Sequence, residues 1–173
     1  MKLIVAAIVS TVFLIACKDD SRKQAVQYFQ AHQKALMAQQ QVNNFSLQLA
    51  YMPATVLPGD KETSLDSGYY HFRLQVQCPS GNGSLSGDKT SLYYGLDSLF
   101  VGEGSDQKIY PVSVQPVITG SHTHFEYLLV FAKKDWKPGT TLEIIFNDRL
   151  FTNTRMSFVF DRTKINEIEL LHS

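Results

Sequence analysis

Two histidines separated by one residue are the side chains of this sequence best suited to bind a metal ion. His122 and His124 lie two positions apart, and on a strand such residues point to the same face. Two imidazoles with a third ligand, which Glu126 could supply, are a common zinc-binding set. This spacing predicts a metal-dependent envelope enzyme as one hypothesis. The alternative is a pair of surface histidines in a turn, which the preceding Gly120-Ser121 favours.

Other motifs for catalysis or cofactor binding are missing from the sequence. It contains no G-x-S-x-G, Walker or H-E-x-x-H motif. Its acidic loops lack the spacing of a calcium-binding EF-hand. Gly81-Asn82-Gly83-Ser84 is rich in glycine, but no predicted helix follows it to hold a phosphate. We therefore expect no cofactor, and the main hypothesis is a non-catalytic binding or accessory module.

Aromatic side chains in predicted loops and strand ends are candidates for contact with a ligand or partner. Tyr93 and Tyr94 are adjacent, so on an extended segment one ring of the pair points to solvent. Trp136 lies in a polar loop between two predicted strands. Exposed rings of this kind anchor protein partners or stack on sugars. For Trp136 the alternative is a ring that folds over the end of the core.

The first 16 residues have the layout of a secretory signal. Lys2 is followed by an apolar run from Leu3 to Ala16, which only Ser10 and Thr11 interrupt. The run is shorter than the roughly 20 apolar residues that a membrane-spanning helix needs, and charged residues follow at once. The sequence predicts a cleaved signal peptide rather than a permanent transmembrane helix.

The residues around Cys17 resemble the lipobox of bacterial lipoproteins. Leu14-Ile15-Ala16-Cys17 has an apolar residue three positions before the cysteine, although Ile15 is larger than the usual residue there. The resemblance implies that the signal is cut before Cys17, that its thiol carries a diacylglyceryl group and that the new amine is acylated. Several acyl chains anchor a protein firmly in a membrane. The alternative is an ordinary cleaved signal that happens to precede a cysteine.

The polar residues after this cysteine bear on location. Lys18-Asp19-Asp20 resembles the surface-export signal of Bacteroidota lipoproteins, which reach the outer face of the outer membrane. The resemblance implies a lipid-anchored outer-membrane protein that faces outward. The alternatives are a protein that faces the periplasm and a short motif that is only a solvated tether.

Length, charge and cysteine content indicate the number of domains, the kind of partner and the disulfides that can be expected. Without residues 1–16 the 173-residue chain keeps 157, enough for one domain with its own core. The 16 basic and 16 acidic side chains balance, and no basic run exceeds two residues, so we expect no nucleic-acid partner. If Cys17 is acylated, Cys78 has no intrachain disulfide partner. We interpret Cys78 as a small buried hydrophobe; a reactive thiol is the alternative.

The hydropathy pattern predicts a helix followed by strands. Residues 20–44 contain no Gly or Pro and many good helix formers, which predicts a helical tether. From Phe45 the period changes to two, as in strands. Pro111 and Pro116 place one of these strands at a sheet edge, whereas 125–132 is apolar on both faces and is expected to be central. The predicted strands are 45–51, 70–78, 91–100, 108–118, 125–132, 141–147, 155–161 and, with mixed spacing, 164–171.

Short strands separated by turns, without crossover helices, are typical of an antiparallel β-sandwich. An immunoglobulin-like topology is the commonest form, and a small barrel is the alternative. The predicted organisation is a signal peptide over 1–16, the lipidated cysteine and helical tether over 17–44, and a β-sandwich domain over 45–173.

Three apolar segments resemble uncharacterised Bacteroidota outer-membrane lipoproteins with a single β-rich domain. They are Leu47-Gln48-Leu49-Ala50-Tyr51-Met52-Pro53, Tyr69-Tyr70-His71-Phe72-Arg73-Leu74 and Ser157-Phe158-Val159-Phe160-Asp161, and they span most of the mature chain. The resemblance implies a compartment and a fold but no activity. The expected partners are the membrane, through the acyl chains on Cys17, and an envelope protein or a glycan.

Overall fold

The structure is a computed structural model that describes residues 23–24, 26–53, 68–78, 92–103 and 107–170. The predicted signal peptide, Cys17 and the motif Lys18-Asp19-Asp20 lie outside these residues. In the part of the chain that is described, no helix has the length and apolar character needed to cross a membrane.

Within these ranges nine strands form two antiparallel sheets. The five-stranded sheet has the order β1-β2-β3-β7-β6, and the four-stranded sheet has the order β5-β4-β8-β9. The prediction of a mainly β chain with two antiparallel sheets, as in a β-sandwich, is confirmed. The strands are β1 (Met37–Val42), β2 (Phe45–Tyr51), β3 (Tyr69–Gln77), β4 (Phe100–Glu103), β5 (Lys108–Ile109), β6 (Ser113–Val117), β7 (His124–Ala132), β8 (Thr141–Asn147) and β9 (Arg155–Asp161).

Alternating side chains form the core between the sheets. In β3 every second residue is buried, beginning at Tyr70, as the period-two pattern predicts. The rings of Phe72 and Phe160 join the two sheets, with 5.0 Å between their centroids. Phe100 and Phe146 stack within the four-stranded sheet at 4.5 Å. Large aromatic rings thus supply much of the buried apolar surface that stabilises the fold.

Several strand predictions are confirmed closely. The predicted bounds of β2, β8 and β9 match the structure, and those of β3 and β7 differ by one residue. β7 pairs with β3 on one side and β6 on the other, as expected for a strand with two apolar faces. The segment 108–118 is divided into β5 and β6 around Pro111, and both are edge strands.

The predicted helix over 20–44 is wrong in its last part. Residues 26–31 and helix α1 (Gln33–Leu36) are helical, but Met37–Val42 is strand β1. β1 forms a hairpin with β2 through Asn43, whose φ is 54°. Pairing with β2 satisfies the backbone groups on one side of β1, so this tertiary contact overrides the local helix preference of a glutamine-rich segment. The domain boundary predicted at residue 45 therefore falls inside a hairpin.

Two predicted strands are also corrected. Residues 164–171 were expected to be extended, but Arg162–Leu170 is helix α2. Ile165 and Ile168 are both fully buried, and a spacing of three places them on one helical face. Residues 91–100 were expected to form one strand, but a 3₁₀ helix covers Leu96–Leu99 and β4 begins at Phe100. Gly95, with a left-handed φ of 68°, is the residue directly before that helix.

The N-terminal helical residues pack on the domain. Leu36 is fully buried, and Tyr28 and Phe29 contact the core. The Tyr28 hydroxyl donates to Glu167 of α2, and its ring stacks on His32 at 4.0 Å. Residues 28–36 thus belong to the folded domain, so any spacer from the predicted anchor must lie before them.

β1 also closes one side of the sandwich. The Gln40 side chain points inward and donates through Nε2 to the backbone oxygen of Ser157 in β9 at 2.8 Å. This bond joins the edge strand of one sheet to the edge strand of the other. The β1–β2 hairpin is therefore an integral part of the domain.

The sandwich has two distinct ends. At one end, the helix end, α1 enters β1, α2 follows β9, and Glu169 of α2 accepts hydrogen bonds from Tyr51 at 2.6 Å and from Lys133 at 2.7 Å. At the other end, the pocket end, lie the β1–β2 turn, the β6–β7 loop and the β8–β9 turn. Burial, with Glu169 beside it, raises the pKa of Tyr51, so its hydroxyl stays a neutral donor.

Candidate functional site

The β6–β7 loop is held in one shape by side-chain hydroxyls. The Thr119 hydroxyl donates to the His124 backbone oxygen at 2.9 Å. The Ser121 hydroxyl accepts from the backbone N–H groups of Thr123 and His124 at 3.2 and 3.1 Å. Gly120 provides the left-handed φ of 68° that the turn requires. The loop is therefore preorganised rather than a loose connection.

An open pocket of about 440 Å³ lies against this loop, and this volume falls within the range of small-molecule and peptide side-chain sites. Tyr93, His122 and His124 were singled out separately in the sequence, and all three line the pocket. The complete lining is Leu92, Tyr93, residues 116–122, His124, Phe125, Glu126 and Tyr127.

The rim of the pocket is apolar and exposed. Ile118 follows β6 and is 90% exposed. Tyr93 is also exposed, and Tyr94 beside it is more so. Exposed aliphatic and aromatic side chains beside a concave surface are typical of binding sites. The arrangement can hold an apolar group of a ligand while its rim covers that group.

An ion pair holds Glu126, a buried carboxylate in the pocket lining. Glu126 is 7% exposed, and Arg73 of the neighbouring strand β3 binds its two oxygens, with Nε at 2.6 Å and Nη2 at 2.7 Å. Gln75 adds a weaker contact at 3.5 Å. The Nη2 contact is a hydrogen bond, and the Nε contact adds charge attraction, so the carboxylate is held in place. Its charge is compensated by Arg73, which does not itself line the pocket.

The predicted metal site is not formed. Among the described residues, no group of three His, Cys, Asp or Glu side chains lies in position to hold a metal ion. His122 lies in the bend before β7 rather than on the strand, so the shared-face geometry does not apply to it. His124 is 3.8 Å from Glu126, and that carboxylate is already bound by Arg73. The two imidazoles line a pocket but do not converge with the predicted third ligand.

The aromatic candidates differ in their positions. Tyr93 and Tyr94 are both exposed, because the chain bends there instead of continuing as a strand. Trp136 is only 6% exposed and packs against Tyr70 and Phe131. Its ring is buried at the helix end, which agrees with the alternative interpretation of the sequence, in which Trp136 folds over the end of the core.

Phe125 and Ile118 line the pocket and Arg73 holds Glu126 of its lining, but none of the three was a predicted site residue. Only the β3–β7 register brings Arg73 to Glu126. Ile118 lies just beyond Val117, the last residue of an edge strand, where an exposed aliphatic side chain is a weak signal by itself. Burial, with Tyr93 and Asp148 nearby, raises the pKa of Tyr127, so its hydroxyl stays protonated.

The pocket and its contacts are the evidence for the function of this protein. A scan against protein-family models, a search of curated proteins and a search of solved structures found no match to this chain.

Proposed function

We propose that this protein is a lipid-anchored, non-catalytic binding module of the cell envelope. The observation that carries the proposal is the preorganised pocket beside the β6–β7 loop, with its exposed apolar rim and with Glu126 neutralised by Arg73. A site whose loop is already fixed loses little conformational freedom on binding, which favours affinity. Its ligand is an apolar or aromatic group presented by an envelope protein or a glycan.

We further propose that the sandwich is immunoglobulin-like. The chain passes between the sheets after β3, β5 and β7. The orders β2-β3-β7-β6 and β5-β4-β8-β9 match the A-B-E-D and C′-C-F-G orders of immunoglobulin domains. β1 is then an extra strand added beside the first. Such domains commonly use loops at one end of the sandwich for binding, which is where the pocket lies.

The location follows from the N-terminal sequence. Cys17 carries acyl chains in this proposal, and Lys18-Asp19-Asp20 directs the protein to the outer face of the outer membrane. This assignment rests on the resemblance to lipoboxes and to Bacteroidota lipoproteins. A protein that faces the periplasm is the alternative orientation.

Replacing the lipidated cysteine should release the protein from the membrane. We expect a Cys17→Ser variant to lose incorporation of radiolabelled palmitate and to appear in the soluble fraction, because removing the thiol removes the site of diacylglyceryl transfer. Cys78→Ser is the matched control and should stay acylated. Equal labelling of both variants would contradict acylation at Cys17.

Photo-crosslinking in intact cells tests the pocket. A photoreactive amino acid at position 118 should give a discrete adduct with a protein or a glycan, because Ile118 is an exposed residue of the pocket rim. The same residue at position 112 is the control, since Val112 is also exposed but precedes the other end of β6. Identical adduct patterns at the two positions would exclude the pocket as the binding site.

A further inference from the structure

The direction in which the chain enters the domain restricts how the domain can lie on a membrane. Tyr28 contacts Glu167 of α2 at the helix end, so the chain that leads from Cys17 arrives at this end. Eight residues, 18–25, separate Cys17 from Val26. Even fully extended, this segment spans only about 30 Å. The helix end is therefore held within about 30 Å of the bilayer if Cys17 is acylated.

The pocket lies at the other end of the strands. β3 has nine residues and runs from the helix end to the pocket end, a distance of about 30 Å at the usual rise of a strand. Two exposed apolar side chains, Val26 and Leu170, lie in the helices of the helix end. If the helix end faces the membrane, these two side chains lie near the interface between water and lipid.

Charge favours the same orientation. The described residues of the helix end include seven basic side chains against four acidic ones. Four of the basic side chains are exposed, against two of the acidic ones, Asp135 and Glu167. Exposed lysines close to a bilayer are attracted by anionic headgroups. The set consists of Lys23, Lys34, Lys133, Lys134, Lys137, Arg162 and Lys164, with Asp135, Asp161, Glu167 and Glu169.

We infer that the helix end of the domain rests on anionic lipid headgroups and that the pocket is directed away from the membrane. The inference deepens the proposed function and depends on its lipid anchor. It assigns α2 and α1 a role as a membrane-facing surface. The pocket is then presented about 30 Å above that surface, where a partner can reach it without meeting lipid.

Two matched labelling positions test this orientation in the full-length acylated protein. Asn166→Cys lies on α2 at the helix end and Asn44→Cys lies in the β1–β2 turn at the pocket end; both native side chains are exposed and polar. The wild-type chain, whose Cys78 is buried, measures background labelling. Each labelled protein is reconstituted into phosphatidylcholine vesicles that contain phosphatidylglycerol and a quencher on the lipid headgroups.

We expect the fluorophore at position 166 to be quenched several-fold more strongly than the fluorophore at position 44. Equal quenching, or stronger quenching at position 44, would overturn the orientation. Flotation with the vesicles is measured on the same samples before quenching. A wild-type protein that does not float would overturn the lipid anchor itself, so the two failures are distinguishable.

Charge reversal tests the contact with anionic lipid. Lys34→Glu combined with Lys134→Glu should bring the quenching at positions 166 and 44 closer together, and Arg149→Glu in the β8–β9 turn at the pocket end should leave the difference unchanged. In vesicles of phosphatidylcholine alone, the wild type should also show a reduced difference. A double variant that retains the full wild-type difference would overturn the role of anionic headgroups.

Discussion

Asp148→Ala will lower the free energy of unfolding by about 4 kcal/mol, because it removes four hydrogen bonds to a charged acceptor and leaves buried donors unpaired. Asp148 is 2% exposed. Its Oδ1 accepts from the backbone of Leu150 and Phe151 at 2.8 and 3.0 Å, and its Oδ2 accepts from the backbone and hydroxyl of Thr152 at 2.7 and 2.6 Å. One carboxylate thus organises the whole β8–β9 turn.

The loss will extend to the pocket. The turn places Phe151 against Phe125 and Tyr127, with ring centroids 5.1 and 6.4 Å apart. Both of those rings line the pocket. If the turn is released, Phe125 and Tyr127 lose their contact with Phe151. The pocket lining and this end of the core are then both less well packed.

Urea unfolding, followed by the fluorescence of the single tryptophan, measures this effect. Asp148→Asn keeps one acceptor oxygen and should lose about half as much stability. Asp135→Ala removes an exposed carboxylate and should change the stability by less than about 0.5 kcal/mol. If Asp148→Ala and Asp135→Ala unfold at the same urea concentration, the turn is held by other contacts.

Gly102→Ala should destabilise the protein by about 3 kcal/mol, since it inserts a methyl group into a packed core. A Cβ at this position would lie 2.6 Å from Cη2 and Cζ2 of Trp136 and 3.3 Å from Cβ of Ile109. The indole is buried between Tyr70 and Phe131 and has little room to move. The glycine is therefore required by the close approach of the tryptophan.

A double-mutant cycle isolates this contact. Trp136→Phe removes the two clashing atoms, so Gly102→Ala should cost about 1–2 kcal/mol less in that background. Among the described residues the indole Nε1 is buried without a hydrogen-bond partner, so phenylalanine leaves no acceptor unpaired. Gly139→Ala is the control, because its Cβ would meet nothing within 4 Å. Strict additivity of the two core substitutions would rule out the clash.

The period-two segments were predictable because burial on one face determines them. In β9 the buried residues Met156, Phe158 and Phe160 alternate with more exposed neighbours, and the alternation can be read directly from residue types. The edge positions of β5 and β6 were equally readable, since proline cannot take part fully in a central ladder.

The wrong predictions of secondary structure lie where a contact between distant parts of the chain outweighs the local conformational preference. Met37–Val42 contains mainly good helix formers, and only its pairing with β2 makes it a strand. In α2 the spacing of Ile165 and Ile168 was already helical, and the isoleucines were given too much weight as strand formers. Trp136 is buried because Gly102, 34 positions earlier in the chain, leaves room for its ring, and no local pattern contains that information.

The candidate site was predictable only in parts. His122, His124 and Tyr93 could each be named from sequence, but their meeting in one pocket depends on how the chain crosses from one sheet to the other. The partner of Glu126 depends on the register between β3 and β7. Single residues that could bind a ligand can therefore be recognised from their types. Which of them meet in one site can be known only from the arrangement of the strands.

The hairpin of β1 and β2 determines how the domain would respond to mechanical force. β1 begins at the helix end, where α1 leads into it, and turns back at the pocket end. A force that pulls the N-terminal segment away from the helix end is directed along β1, so it loads the rungs from Met37↔Ala50 to Val42↔Phe45 together, in shear. The Gln40–Ser157 bond shares this load between the edge strands of the two sheets. The hairpin would therefore resist such a force until several rungs break together, rather than opening one rung at a time.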